Sequence, residues 1–127
     1  MAKSILVVGS ESLDYYVHAL VNCGYVAITL ETNEQAREYL LRTKVIPDTI
    51  LVEDRDNGRL SASDLLSIIF TKGISSFSRT GFLSGSAEIS LRERVESLGI
   101  KYFQRQTADT MSMVAYYEGV SNLEERK

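Results

Sequence analysis

In "VVGSESLD", residues 7 to 14, an apolar run empties through Gly9 and Ser10 into a helical pattern. Amides and hydroxyls at the start of a helix can cradle a phosphate, so this stretch is a candidate ligand site. A dinucleotide fold would need G-x-G-x-x-G here, and "GSESLD" has one glycine and bulky residues where backbone must approach the pyrophosphate. A hydrolase would need G-x-S-x-G, and "GFLSGSAE" lacks that spacing. The single histidine, His18, falls inside the first helical pattern and reads as solvated or packed. The single cysteine, Cys23, precedes Gly24 at the end of that pattern and reads as a small buried thiol.

These residues need a scaffold, and the chain supplies it by repetition. "SILVV" is a short continuous apolar run suited to a strand buried on both faces, and Leu13, Val17, Leu20 and Val21 then recur at helical spacing. Gly24 stops that helix. "YVAITL" predicts a second strand, and Thr32 or Asn33 can cap "EQAREYLLRT", where Ala36, Tyr39 and Leu40 share a face. Pro47 opens "DTILVE", a third strand, followed by the polar "DRDNGRLS" and a helix on Leu65, Leu66, Ile68 and Ile69. "TGFLSG" predicts a fourth strand, "SAEISLRERVESLG" a capped helix, "IKYFQ" a fifth strand and "TADTMSMVAYYEGVSN" a last helix.

Five strand-helix pairs with short connections call for a parallel sheet with helices on both faces, since parallel strands need right-handed crossovers. The fold class is α/β, doubly wound. The 127 residues fit one domain, placed at 1–121 with a polar tail at 122–127. Net charge −3, from 14 basic and 17 acidic residues mixed along the chain, leaves no basic patch and disfavours nucleic acid. No apolar run approaches a membrane span and nothing has the flanks of a signal peptide, so a soluble cytoplasmic protein is expected. In doubly wound sheets, sites form beyond the carboxyl ends of the strands. Those ends gather Gly9, Ser10 and Glu11, then Glu53 and Asp54, then Ser84 to Ser86, then Arg105 and Gln106.

In this order of elements, and in "ILVV", "CGY", "PDTILVE", "FLSG" and "LGIKYFQRQ", the sequence resembles the receiver domain of bacterial two-component response regulators over almost its whole length. The resemblance implies a flavodoxin-like, five-stranded parallel sheet of order 2-1-3-4-5 with five helices. It also implies a phosphoacceptor pocket. The family holds magnesium with two acidic residues after the first strand and the acceptor aspartate, and those first two places fall on Gly9 and Ser10. Glu11 follows them, but as the first residue of a helix it is expected to face solvent or the positive helix end. Counting from Pro47 places Glu53 at the acceptor position; counting back from Leu65 and Leu66 places Asp54 there. Glu53 is preferred, because a one-residue slip inside a buried strand exchanges the faces of all its side chains, whereas an extra loop residue is tolerated. A solvated acidic loop, "EDRDN", is the alternative.

Arg105 falls where the family has its phosphate-sensing lysine, and Gln106 replaces the usual proline. A guanidinium suits a two-point clamp on a carboxylate, so a Glu53–Arg105 pair is expected, self-neutralised and without metal or cofactor. Ser84 matches the family's hydroxyl residue and Tyr102 its switch aromatic; ordinary edge-strand packing, ring covered and hydroxyl wet, is the other use of Tyr102. The implied output face is helix 4, strand 5 and helix 5, with Lys101, Tyr102, Tyr116 and Tyr117 as contacts for a protein partner. Met111, Met113 and Val114 read as packing.

The function expected is an atypical receiver-like module, not an enzyme, acting by phosphorylation-independent protein contact, with homodimerisation left open. One alternative is a phosphorylatable receiver using Asp54, with Glu11 and Asp56 as metal ligands. The other is a flavodoxin-like mononucleotide binder.

Overall fold

The computed structural model describes residues 3–55, 60–74, 78–86, 88–105 and 109–119. Strands and helices alternate: β1 (Lys3–Val8), a 3-10 turn (Glu11–Leu13), α1 (Asp14–Asn22), β2 (Tyr25–Leu30), α2 (Asn33–Arg42), β3 (Thr49–Glu53), α3 (Ala62–Thr71), β4 (Arg79–Ser84), α4 (Ile89–Ser97), β5 (Lys101–Gln104) and α5 (Thr110–Tyr117). All four strand pairings are parallel, in the order β2-β1-β3-β4-β5. This is the doubly wound architecture expected from the sequence. Among the described residues no helix is long and apolar enough to cross a membrane.

The alternation of side chains along each strand builds two cores. Leu6, Val8, Ile50, Val52, Phe82 and Tyr102 face α2, α3 and α4, while Ile5, Val7, Leu51, Leu83 and Phe103 face α1 and α5. A strand covered on both faces has no polar side, which is why the runs "ILVV" and "ILV" are continuously apolar. Local signals fix the helix starts. Thr32 and Gln35 make a reciprocal capping box on α2, Ser61 accepts the Asp64 amide, and Asp109 accepts the Ser112 amide. The cap expected for α4 is absent: its N-cap is Glu88, which makes no side-chain cap bond.

Four side chains depart from their expected places. The first helical segment opens as a 3-10 turn and its buried stripe is Leu13, Tyr16 and Leu20; Val21, one residue of α-helical rotation past Leu20, lies in solvent. Cys23 is exposed rather than buried, because α1 ends at Asn22 and Gly24, at φ +97°, turns the chain into β2. Met111 is 60% exposed, since Met113 and Tyr117, four apart, take the inner face of α5. Tyr117 is therefore no surface contact. Its ring is buried and its hydroxyl donates to the Ile50 carbonyl at 2.6 Å.

The end of α5 is tied to the sheet at three successive residues. Tyr116 Oη donates to the Thr80 carbonyl at 3.0 Å and Tyr117 reaches β3. Glu118 pairs with Lys3 of β1 and accepts the Tyr25 hydroxyl of β2 at 2.7 Å, with the Lys3 ammonium 4.8 Å from the centre of the Tyr25 ring. Those two donors hold the Glu118 carboxyl below the ordinary glutamate range, against a small effect of burial.

Candidate functional site

Past the carboxyl ends of β1, β3, β4 and β5 two carboxylates point to opposite faces of the sheet. Glu53 closes β3 with its side chain on the α1 side, and Asp54 follows on the α4 side, as the period of two requires.

Glu53 is only 5% exposed. Its Oε1 accepts the Ser10 amide at 2.8 Å. Its Oε2 accepts the hydroxyls of Ser12 at 2.8 Å and Ser10 at 3.2 Å, and Arg105 Nη2 at 2.7 Å. Arg55 Nη1 stands 3.8 Å from Oε1. Burial pushes this carboxyl upward, but the Ser10 amide, the two hydroxyls and the Arg105 charge outweigh it and hold the group below the ordinary glutamate range. Gly9 makes the arrangement fit. A Cβ there would stand 2.7 Å from Glu53 Cβ, Glu53 Oε1 and Leu13 Cδ1, and the backbone sits at φ +156°. The residue that lacks a carboxylate is also the residue that admits a longer one from β3.

Asp54 is exposed and joins a different set of bonds. Its Oδ2 accepts the hydroxyl of fully buried Ser84 at 2.7 Å, Ser84 Oγ accepts the Ser86 amide at 3.0 Å, and the Ser86 carbonyl accepts the Tyr102 hydroxyl at 2.7 Å. Tyr102 is thus turned inward against Phe82, with its hydroxyl bonded rather than wet. The Arg105 amide donates to the Ser84 carbonyl at 2.8 Å, so the Arg105 backbone is fastened to β4 while its side chain reaches Glu53.

The structure brings Ser10, Glu53 and Arg105 together, and Asp54 with Ser84, and it separates these two sets across the sheet. Glu11 is exposed in the 3-10 turn. Of the expected surface contacts Lys101 is exposed, Tyr116 is half-buried, and Tyr102 and Tyr117 are buried. Gln106, Asp56 and the 122–127 tail lie outside the described residues. Sequence reasoning missed Ser12 and Arg55. The signal for Ser12 was present in "GSES", whose two hydroxyls lie two residues apart on one tight turn; nothing local marked Arg55. Among the described residues no group of three His, Cys, Asp or Glu side chains could hold a metal ion.

No protein-family model matches the sequence, and no curated protein matches it. Solved structures do. The chain superposes on the signal receiver domain of a putative LuxO repressor protein from Vibrio parahaemolyticus with a TM-score of 0.76 and 19% identity, covering 99% of this chain and 97% of that one. It superposes on the chemotaxis response regulator CheY4 of Vibrio cholerae at 0.75 and 13% identity, covering 94% and 98%. It superposes on a response regulator receiver protein from Pseudomonas putida at 0.75 and 20% identity, again covering 94% and 98%. The chain has the fold of a response regulator receiver domain.

Proposed function

We propose that this chain is a receiver-fold signalling module that works by protein–protein contact, without magnesium-dependent phosphotransfer and without enzymatic activity. The observation that carries this reading is the engaged carboxylate of Glu53. Magnesium asks for several oxygen ligands at near-octahedral geometry, usually carboxylates and phosphate oxygens. Gly9 and Ser10 contribute no carboxylate after β1, and both Glu53 oxygens already accept bonds from Ser10, Ser12 and Arg105. The residues do not fit the ion. The Arg105 guanidinium at 2.7 Å, with that of Arg55 at 3.8 Å, already balances the Glu53 charge, so the pocket needs no further cation.

Two further observations support a module whose state is set in the folded chain. Tyr102 is already inward, and Ser84 is already bonded to Asp54. The proposed partner surface is the face of α4, β5 and α5, which presents Lys101 with Ile89, 71% exposed, and Met111 at the starts of the flanking helices. The relatives of this fold are receiver domains of response regulators, which suits a bacterial signalling setting.

The second reading, phosphorylation at Asp54, is favoured by the Ser84 hydroxyl at 2.7 Å from its carboxylate and by its exposure. Incubation with a small acyl phosphate and magnesium, followed by intact mass under mild acid, separates the two. No adduct and no magnesium binding at submillimolar affinity are expected; a labile phosphoryl adduct that vanishes in Asp54→Asn establishes the second reading instead. For mononucleotide binding, the amide and hydroxyls that would cradle the phosphate are those engaged by Glu53, and absence of flavin absorbance in the purified protein is the expected result.

A further inference from the structure

We propose that Ser10, Ser12 and Arg105 form an oxyanion receptor whose resident ligand is the chain's own Glu53 carboxylate. The inference deepens the reading above, on which it rests for a pocket closed to outside ligands, by naming the ligand class the pocket is shaped to hold. Donors converge on one carboxylate from two segments far apart in sequence: the Ser10 amide and hydroxyl and the Ser12 hydroxyl on the turn after β1, and the Arg105 guanidinium after β5. All four contacts fall between 2.7 and 3.2 Å, and the group they hold is nearly sealed from water. A cation, two hydroxyls and an amide directed at a common buried point are complementary to an anion with two or more oxygens, and to little else.

The shape of the receptor is as specific as its charge. Gly9 lines the side chain closely, since a Cβ there would meet Glu53 Cβ and Oε1 at 2.7 Å. Glu53→Ala removes Cγ, Cδ and the two oxygens, and acetate consists of those same four heavy atoms. The void left behind is therefore the size and polarity of one acetate ion. Formate underfills it, and propionate carries a methylene that would fall on the Cβ kept at position 53, with Gly9 close alongside.

The test is thermal unfolding of the full-length Glu53→Ala variant in rising sodium acetate, with sodium chloride holding ionic strength constant. Binding to the folded state alone raises the midpoint by mass action. A saturable rise of a few degrees is expected for acetate, with half-effect on the order of tens of millimolar, as weak ligands of this size give. A smaller rise is expected for formate, and none for propionate or neutral acetamide. Wild type and Glu53→Ala/Arg105→Ala are expected to stay flat. A variant midpoint that does not distinguish acetate from chloride or acetamide overturns the receptor, as does an equal response of the double variant. If Glu53→Ala does not fold in chloride alone, the same titration is read as recovery of the far-ultraviolet circular dichroism signal, and no recovery counts against it equally. A phosphoryl adduct at Asp54 would end the silent-pocket reading and leave the receptor standing; a flat acetate response would do the reverse.

Discussion

Glu53→Gln is expected to lower stability by about 2–4 kcal/mol, through lost pairing and not lost volume. The amide is isosteric with the carboxylate, so no cavity forms. Either orientation is wrong, however: one sets NH2 against the Ser10 amide, the other against Arg105, although the two hydroxyls can turn to accept. Buried donors left facing a donor lose about 1–3 kcal/mol each, and breaking a buried ion pair is put at about 3–5 kcal/mol. The Arg105 side chain is 37% exposed, so water takes up part of its charge and the loss falls below that sum. At roughly 4 °C per kcal/mol for a chain of this size, the unfolding midpoint should fall by about 8–16 °C.

The same substitution has a signed pH dependence. The folded-state carboxyl of Glu53 titrates below its unfolded value, so its contribution is fully present above the unfolded pKa and is lost as pH falls through the folded one. The gap between wild type and Glu53→Gln should therefore be widest near neutrality and close in acid, as read by urea unfolding across that range. Glu118 and Asp109, also held below their ordinary values, weaken both proteins in acid alike and drop out of the difference. A gap independent of pH would mean that the charge of Glu53 contributes nothing and that the loss lies in the misplaced amide donors alone.

Gly81→Ala is expected to destabilise by about 2–4 kcal/mol, an unusually large effect for one methyl group. Gly81 sits in β4 on the α5 side of the sheet, and a Cβ there would stand 2.7 Å from Phe103 Cε2 and from the Tyr117 hydroxyl. Neither ring can yield cheaply, because Phe103 packs against both Tyr116 and Tyr117, and Tyr117 is anchored to the Ile50 carbonyl. Overpacking accounts for about 1–3 kcal/mol, and displacing the Tyr117 hydroxyl adds about 1 kcal/mol. Guanidinium unfolding of Gly81→Ala beside Tyr117→Phe checks the account. If Tyr117→Phe, which loses only the hydroxyl, matches Gly81→Ala, the crowding argument fails.

Much of this was readable from the chain because its strongest signals are periodic. Continuous apolar runs such as "ILVV" suit strands covered on both faces, and their alternation with helical stripes over short connections calls for a parallel sheet. Strand ends gathered Glu53 and Arg105 among other candidates; their pairing came from the receiver resemblance, which puts Glu53 at the acceptor position and Arg105 at the lysine's. What escaped depends on one turn of phase or one residue of register. In the first helix the buried stripe runs through Tyr16 and Leu20, four apart, and leaves Val21 one residue of rotation outside it. Tyr116 and Tyr117 look alike in sequence, yet one residue of helical rotation sends Tyr117 into a gap that only Gly81 creates. Cys23 was misplaced because a helix end, and not composition, decides its exposure. Ser12 went unnoticed because its part is defined by a carboxylate 41 positions away.

The clasp of Lys3, Tyr25 and Glu118 bears on time more than on shape. Its bonds join residues 115 and 93 positions apart, whereas neighbouring strand-helix pairs close over short loops. Contacts that must first gather nearly the whole chain are expected to arrive last, after the folding barrier has been crossed. Interactions formed that late act on escape from the native state and hardly on entry to it. In a chevron of Tyr25→Phe the unfolding limb should rise while the folding limb stays in place; a slowed folding limb would put the clasp early instead. On this account the clasp governs how long the folded protein lasts once made.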